Sequence, residues 1–370
     1  MLVKRIASLV LLMVLFGGTS AQAQSNLSVI LEAAPADSLP GTIGPDKTLV
    51  HTSLTIVDAT GQAVPNAFLK LRLDAPASNP ILSTDFPVVE NTTLLRYEGT
   101  LPTGRFEFDY IYPIRGKYNF QVEAGRDAAA PSFHNTLNLD LSENVNEVIN
   151  LIILVAGLLA LGIVAGVVIG NGARAQRMAA MSVVLIALGI GLLSSPPSTV
   201  QAQHGEHDAI SAEPFTESAT NKDLTLTYTM NPGMGEVGTL SHLNFAATYS
   251  RGAPVPNTSF AVKFWHVEDK KQVFAANLYA PSGQTQLDFQ FFDGAKHEVQ
   301  LQANSATGKV DLTKVIAVQP IDPPLLVKIK TTLYLVLIAF GGILVGLRFS
   351  FNRSKSGREP SPLNAQRSTL

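Results

Sequence analysis

Residues 149–170 read INLIILVAGLLALGIVAGVVIG and contain no charged side chain. A run of this length can cross the hydrocarbon core of a bilayer as a helix. In lipid every backbone N–H and C=O needs an internal partner, so an isolated crossing segment has to be helical. Two later stretches share the character. Residues 178–193, inside an uncharged span of 178–196, are shorter, and residues 331–347 (TTLYLVLIAFGGILVGL) form a third run inside 327–348. Lys328 and Lys330 can snorkel from the outer end of the third. Three transmembrane helices are expected.

Their orientation follows from the basic residues. The loop 171–177 holds Arg174 and Arg177; Arg348 and the tail 349–370 hold Arg353, Lys355, Arg358 and Arg367. Placing both in the cytoplasm sends the first helix inward, the second outward and the third inward. Residues 24–147 and 197–326 then lie on one extracytoplasmic side of a bacterial cytoplasmic membrane, with a disordered cytoplasmic tail. The N-terminus demands the same placement. Lys4 and Arg5, an apolar stretch over 6–16 and Ala21-Gln22-Ala23 make residues 1–23 a cleavable export signal.

The chain of 370 residues has room for two or three domains. A net charge of −2 offers no basic field to nucleic acid. There is no cysteine, which excludes disulfides, thiolate metal sites, iron–sulfur clusters and cysteine nucleophiles. Exported domains without disulfides rely on core burial, so they should be of ordinary size.

The sequence repeats itself. Residues 48–74, TLVHTSLTIVDATGQAVPNAFLKLRLD, align without a gap with residues 239–265, TLSHLNFAATYSRGAPVPNTSFAVKFW. Thr48, Leu49, His51, Gly61, Val64, Pro65 and Asn66 match Thr239, Leu240, His242, Gly252, Val255, Pro256 and Asn257. Residues 102–124 likewise align with 281–303, matching Gly104, Asp109 and Lys117 to Gly283, Asp288 and Lys296. The chain reads as a doubled unit of export signal, β domain and membrane helix. In that reading residues 181–208, MSVVLIALGIGLLSSPPSTVQAQHGEHD, are the second unit's own export signal, now serving as the outward-going helix. Two products are compatible with it: one continuous chain, or two anchored pieces cut after Ala202.

Each unit has strand patterning. Leu69, Leu71 and Leu73 alternate with Lys70 and Arg72, and Phe260, Val262 and Phe264 flank Lys263. Period two means one buried and one wet face. Gly61 and Gly252 can take positive φ in the turn, and Pro65 and Pro256 suit a strand edge or a crossing between sheets. The expected fold is mostly β: two antiparallel β-sandwiches, over 24–147 and 224–322, joined by a linker over 197–223 and carried by the three helices. The pattern D-x-x-G-x-x-V-P-N-A, with a later G-K-Y-x-F-x-V, resembles bacterial immunoglobulin-like extracytoplasmic modules of the YtkA-like and macroglobulin-like kinds. The resemblance covers the β regions and implies sandwiches used for binding or positioning. It carries no catalytic residue over. The second copy departs from it, with Ala295-Lys296-His297 in place of Gly116-Lys117-Tyr118.

Candidate chemistry is sparse. His204-Gly205-Glu206-His207-Asp208 clusters imidazoles and carboxylates that suit Cu(II), Ni(II) or Zn(II), and the thioethers of Met230 and Met234 suit Cu(I). His242 is a further candidate ligand. His51 and His242 recur at one place in the repeat, on the wetter strand face, and are candidate partner contacts together with Trp265, the single tryptophan. Asp109 and Asp288 also recur. Nucleophile-elbow, phosphate-loop, H-E-x-x-H and dinucleotide motifs are missing. No charge lies within the apolar runs to mark a transport path. Glycines four apart (Gly162, Gly166, Gly170; Gly342, Gly346), with Ala187 and Gly191, allow close helix approach. The expectation is a non-catalytic, membrane-anchored binding or scaffold protein without a cofactor. It would meet a protein partner, or itself through the small-residue helix faces. The alternative is a copper-handling protein using His204, His207, Met230 and Met234.

Overall fold

The computed structural model describes residues 27–34, 49–78, 86–142, 145–171 and 213–356. The first half contains β1 (Leu27–Ala34), β2 (Val50–Asp58), β3 (Ala67–Asp74), β4 (Thr93–Leu101), β5 (Arg105–Tyr110), β6 (Gly116–Gly125) and β7 (Phe133–Leu141), then helix α1 (Val145–Asn171). The second half contains β8 (Phe215–Asn221), β9 (Leu224–Asn231), β10 (Gly235–Glu236), β11 (Leu240–Tyr249), β12 (Thr258–His266), β13 (Lys271–Ala280), β14 (Gln284–Gln290), β15 (Lys296–Ser305) and β16 (Gly308–Gln319), then α2 (Leu325–Ser356).

The expectation of packed antiparallel sheets holds; that of two separate sandwiches does not. The strands form two sheets, each running through both halves. The first has the order β1-β2-β5-β13-β12-β15-β16-β10, the second β7-β6-β3-β4-β14-β11-β9-β8. The halves join at two seams. Across one, β5 pairs with β13: Phe108 with Ala276, Asp109 with Ala275, Tyr110 with Phe274. Across the other, β4 pairs with β14: Leu95 with Phe289, Arg96 with Asp288, Tyr97 with Leu287. Such joining leaves no bare edge at the middle of the body, where two separate sandwiches would each expose two, one on each sheet.

The two seams are copies of one another. In the aligned sequences Phe108, Asp109 and Tyr110 correspond to Leu287, Asp288 and Phe289. Extended back without a gap, the alignment matches Leu95, Arg96 and Tyr97 to Phe274, Ala275 and Ala276. Every pairing at one seam therefore maps onto a pairing at the other. An operation that exchanges the two sheets and the two halves together is a twofold rotation about an axis along the strands. Both helices then leave the body at the same end. The contact is isologous in kind, the arrangement of a symmetric dimer within one chain.

The core crosses the seams. Tyr110, Phe274 and Phe289 pack together, with the Phe274 and Phe289 ring centroids 5.0 Å apart and tilted, and Tyr110 edge-on to them at 6.1 and 6.0 Å. All three are buried, and residues of both halves belong to one continuous hydrophobic cluster.

The repeated sequence motifs meet in space. In each half the V-P-N connector carries the chain from one sheet to the other. Asn66 and Asn257 take positive φ there, 55° and 53°. Their amides bond to the Pro102 and Pro281 carbonyls, at 3.2 and 3.1 Å. Gly104 (φ 72°) and Gly283 (φ 78°) close the turn after β4 and after β13. A Cβ on either would run into the backbone of Val64 or Val255, so both the angle and the space demand glycine.

Among the described residues two helices are long and apolar enough to cross a membrane, α1 and α2, against three expected; residues 178–196 lie outside the described residues. Large apolar side chains such as Ile153, Leu161, Leu333 and Phe340 point outward. The helices run parallel and pack through the glycines singled out in the sequence. A Cβ on Gly162 would strike Ala339 and Gly342, and one on Gly166 would strike Ile343 and Gly346. Equivalent positions face one another in this way about a twofold axis. Further along, the Ser350 hydroxyl donates to Asn171 Oδ1 at 2.5 Å.

The linker expected over 197–223 is shorter at its C-terminal end. Residues 215–221 form β8, whose threonines and serine pair hydroxyls with those of β9 (Thr216–Thr229, Ser218–Thr227). Its polar outward face is what an edge strand presents to water, and it hides the strand period from a hydropathy reading. Residues 349–356 of the expected tail continue α2 as helix; the stretches 1–26, 172–212 and 357–370, which hold the signal, most of the loop, His204, His207 and the rest of the tail, lie outside the described residues.

Candidate functional site

The two histidines and two aspartates that recur in the sequence come together in pairs. His51 lies directly opposite Asp109 on β2 and β5, and His242 lies opposite Asp288 on β11 and β14. In each pair the imidazole Nδ1 is 2.8 Å from the carboxylate Oδ1. An ionised carboxylate only accepts, so Nδ1 carries the proton and Nε2 is the free nitrogen. Both histidines are about half exposed, with side chains at 51% and 47% of full accessibility; Asp109 is at 35% and Asp288 at 10%. Asp288 is the more covered because Gln286 Nε2 also donates to it, at 3.0 Å, and Arg96 stands opposite it across the seam.

Each dyad borders a groove on an outer sheet face, and each groove takes residues from both halves. The groove on the second sheet, about 630 Å³, is lined by Asp288 and Gln286 from the second half and by Lys70, Arg72, Arg96 and Glu98 from the first. The groove on the first sheet, about 190 Å³, is lined by His51, Glu107 and Asp109 from the first half and by Lys263, Ala275 and Asn277 from the second. These are the same place in the two halves. Asp288 answers to Asp109, Gln286 to Glu107 and Arg72 to Lys263. They have diverged in charge: Lys70 and Arg96 stand where the smaller groove has Ala261 and Ala275. In the larger groove Lys70 pairs with Glu123 at 3.5 Å and Arg72 with Asp74 at 2.8 Å. Among the described residues Arg96 has no such ion pair. Among the described residues no serine, threonine or cysteine lines either groove.

The other sequence candidates that fall among the described residues are not brought together. Met230 is fully buried, its sulfur accepting from the Tyr228 hydroxyl at 3.4 Å. It faces the core because β9 alternates, with Leu224, Leu226, Tyr228 and Met230 on one side. Met234 is half-buried, and His242 is held by Asp288. Among the described residues no group of three or more His, Asp or Glu side chains is placed to hold a metal ion. Trp265 is half-buried beside a break in register between Phe264 and Trp265, and its indole N–H is buried without an acceptor.

One cluster escapes the spacing of the sequence. His266 at the end of β12 lies opposite His297 at the start of β15, with ring centroids 5.4 Å apart and both rings buried. His266 Nε2 donates to Asp293 Oδ2 at 3.2 Å, and its Nδ1 accepts from the Asp269 amide at 3.0 Å. Burial lowers the His266 pKa, but the hydrogen bond and the charges of Asp293, Asp269 and Glu268 outweigh it and raise the pKa above 6.5. Burial, and then the neighbouring His266, push His297 down to about 4. The first half shows what this cluster replaces: at the position of His297 stands Tyr118, whose buried hydroxyl donates to the Ile114 carbonyl. The departure from G-K-Y at Ala295-Lys296-His297 was its only trace in the sequence.

No family model and no curated protein matches the sequence. Solved structures similar to parts of it include a trypsin-activated α2-macroglobulin from Escherichia coli, at 11% identity and TM-score 0.23 over 80% of this chain and 16% of that one. Another is invasin, a bacterial integrin-binding protein, at 8% identity and TM-score 0.21, over 80% of this chain and 40% of that one. A third is an Escherichia coli adhesin, at 11% identity and TM-score 0.19, over 79% and 65%. These are immunoglobulin-like and related β-sandwich modules in larger proteins, and this chain spans less than two thirds of each. The immunoglobulin-like description of this chain rests on its own two packed sheets and the connections that cross between them.

Proposed function

We propose that the chain is a non-catalytic, membrane-anchored binding scaffold, built by duplication of one β-sandwich-and-helix unit and displayed outside a bacterial cytoplasmic membrane. The observation that carries the reading is the larger seam groove. It has Asp288, held by the neighbouring His242, on one wall and Arg96, which has no ion pair among the described residues, on the other. A histidine with a fixed tautomer and a free arginine are directional donors and acceptors on a rigid sheet, which is what a specific polar contact requires. The partner is a protein that docks on this outer face, with half-buried Trp265 as a second contact on the first sheet. The reading assigns no cofactor.

Anchoring follows from α1 and α2 crossing the membrane side by side in one direction. The chain must then cross back between residues 171 and 213, and the uncharged stretch 178–196 has the composition to do so. Arg174 and Arg177 before it, and Arg348 and Arg353 at the end of α2, favour the sandwich lying outside.

The test is photocrosslinking in intact membranes, with a photoreactive residue at Gln286 and a control at exposed Asn135 on β7. A discrete protein adduct at position 286, lost on Arg96→Glu, is expected. Equal labelling at both positions, or none at 286, rejects the groove as the contact surface.

A further inference from the structure

The seam contains everything a dimer interface contains. It has two antiparallel ladders, one on each sheet, related by a twofold axis. Between them lies an aromatic centre, Tyr110, Phe274 and Phe289, contributed by both halves and closed to water. At its rim Arg96 faces Asp288. Each half supplies its own complete set of strands on both sheets, so no strand of one half is inserted into the other. The helices repeat the arrangement with glycine facing glycine. Nothing described at this contact uses the covalent connection between the halves.

We propose that the seam is a complete association surface whose occupant is the other half of this chain, and that the two halves remain one assembly when the chain between Asn171 and Glu213 is severed. Each half then behaves as a subunit seated on a twofold partner. A cut after Ala202, the site marked by the export-like stretch, would yield a two-chain protein with both grooves intact rather than two independent modules. The halves are held together because strand pairing on both sheets and a shared apolar core must be broken at once to part them.

The experiment uses the full chain with a protease site inserted between residues 197 and 212 and an affinity tag at the C-terminus. Gly166→Leu with Gly346→Leu removes the close helix contact, so that the sandwich alone is tested. After cutting in mild detergent, the first half is expected to be recovered with the tagged second half in equal amount. Loss of the first half on cutting overturns the proposal.

A second measurement keeps the question open to refutation should the helix variant fail to fold. The chain has no cysteine, so an introduced pair reports one contact. Asp109→Cys with Ala275→Cys places thiols on directly opposed ladder residues, at a separation a disulfide accepts. In the severed and reduced protein, oxidation should link the two halves through this pair. It should do so much more slowly through Asp109→Cys with Asn277→Cys, which is out of register. No link at the in-register pair, or equal linkage of both, overturns the proposal.

Discussion

Arg96 and Asp288, from opposite halves of the chain, stand directly across from one another where β4 meets β14. The symmetry-related position on the other seam has Asp109 facing Ala275. Only one of the two equivalent sites carries opposite charges, set across the ladder without reaching ion-pair distance, so the other is an internal control. Opposite charges placed across a ladder contribute about 0.2–1 kcal/mol, and like charges remove a similar amount. Ala275→Arg should therefore stabilise the protein by up to about 1 kcal/mol, and Arg96→Glu should destabilise it by about as much. Urea unfolding of the two variants checks both; a destabilising Ala275→Arg would show that the seams are not equivalent.

The aromatic centre makes the two halves one folding unit. Phe274 is fully buried between Phe264, Phe289 and residues of β5. Phe274→Ala should cost about 3–5 kcal/mol. Unfolding followed by Trp265 fluorescence and by circular dichroism should stay a single coincident transition, shifted to lower denaturant. Two separated transitions in the unaltered protein would mean that the halves melt independently.

Glycines of one sequence type have different tasks. Gly61 and Gly252 have φ of 81° and 84° and no neighbour near a would-be Cβ. Gly61→Ala then carries only the backbone strain, about 1–2 kcal/mol. Gly104→Ala and Gly283→Ala add a collision with the Val64 or Val255 backbone and should be clearly more damaging, to a similar extent in both halves. Thermal unfolding of the three variants ranks them; a Gly104→Ala as mild as Gly61→Ala would contradict the close packing.

The His266–His297 pair makes the second half sensitive to acid. The His297 pKa is lowered in the fold to about 4 from 6.5. The folded state thus holds fewer protons there than the unfolded one, and stability falls as the pH drops from about 6.5 toward 4. At 1.36 kcal/mol per pH unit the loss is at most about 3 kcal/mol. The His266 pKa is raised, so its contribution is fully present below 6.5 and fades as the pH rises through its folded value. His297→Phe should flatten the acid limb of the stability profile, and Asp293→Asn should weaken the stabilisation at and below neutral pH. An unchanged acid limb in His297→Phe would place the sensitivity elsewhere.

Local features of this protein follow from local chemistry, and those were legible in the sequence. The uncharged runs at 149–170 and 331–347 specify helices because lipid permits an isolated segment little else. Leu69, Leu71 and Leu73 specify a half-buried strand because successive side chains alternate between faces. Gly61 and Gly252 mark turns because only glycine takes their φ without strain. The repeat could even nominate His51, His242, Asp109 and Asp288. It could not pair them, since strand neighbours 58 and 46 residues apart are set by register across a sheet. Tertiary structure alone decided that two sandwich halves share their sheets and that His266 meets His297. Each of these depends on which edges come together, and edge pairing uses backbone groups that every residue carries, so side-chain pattern does not encode it.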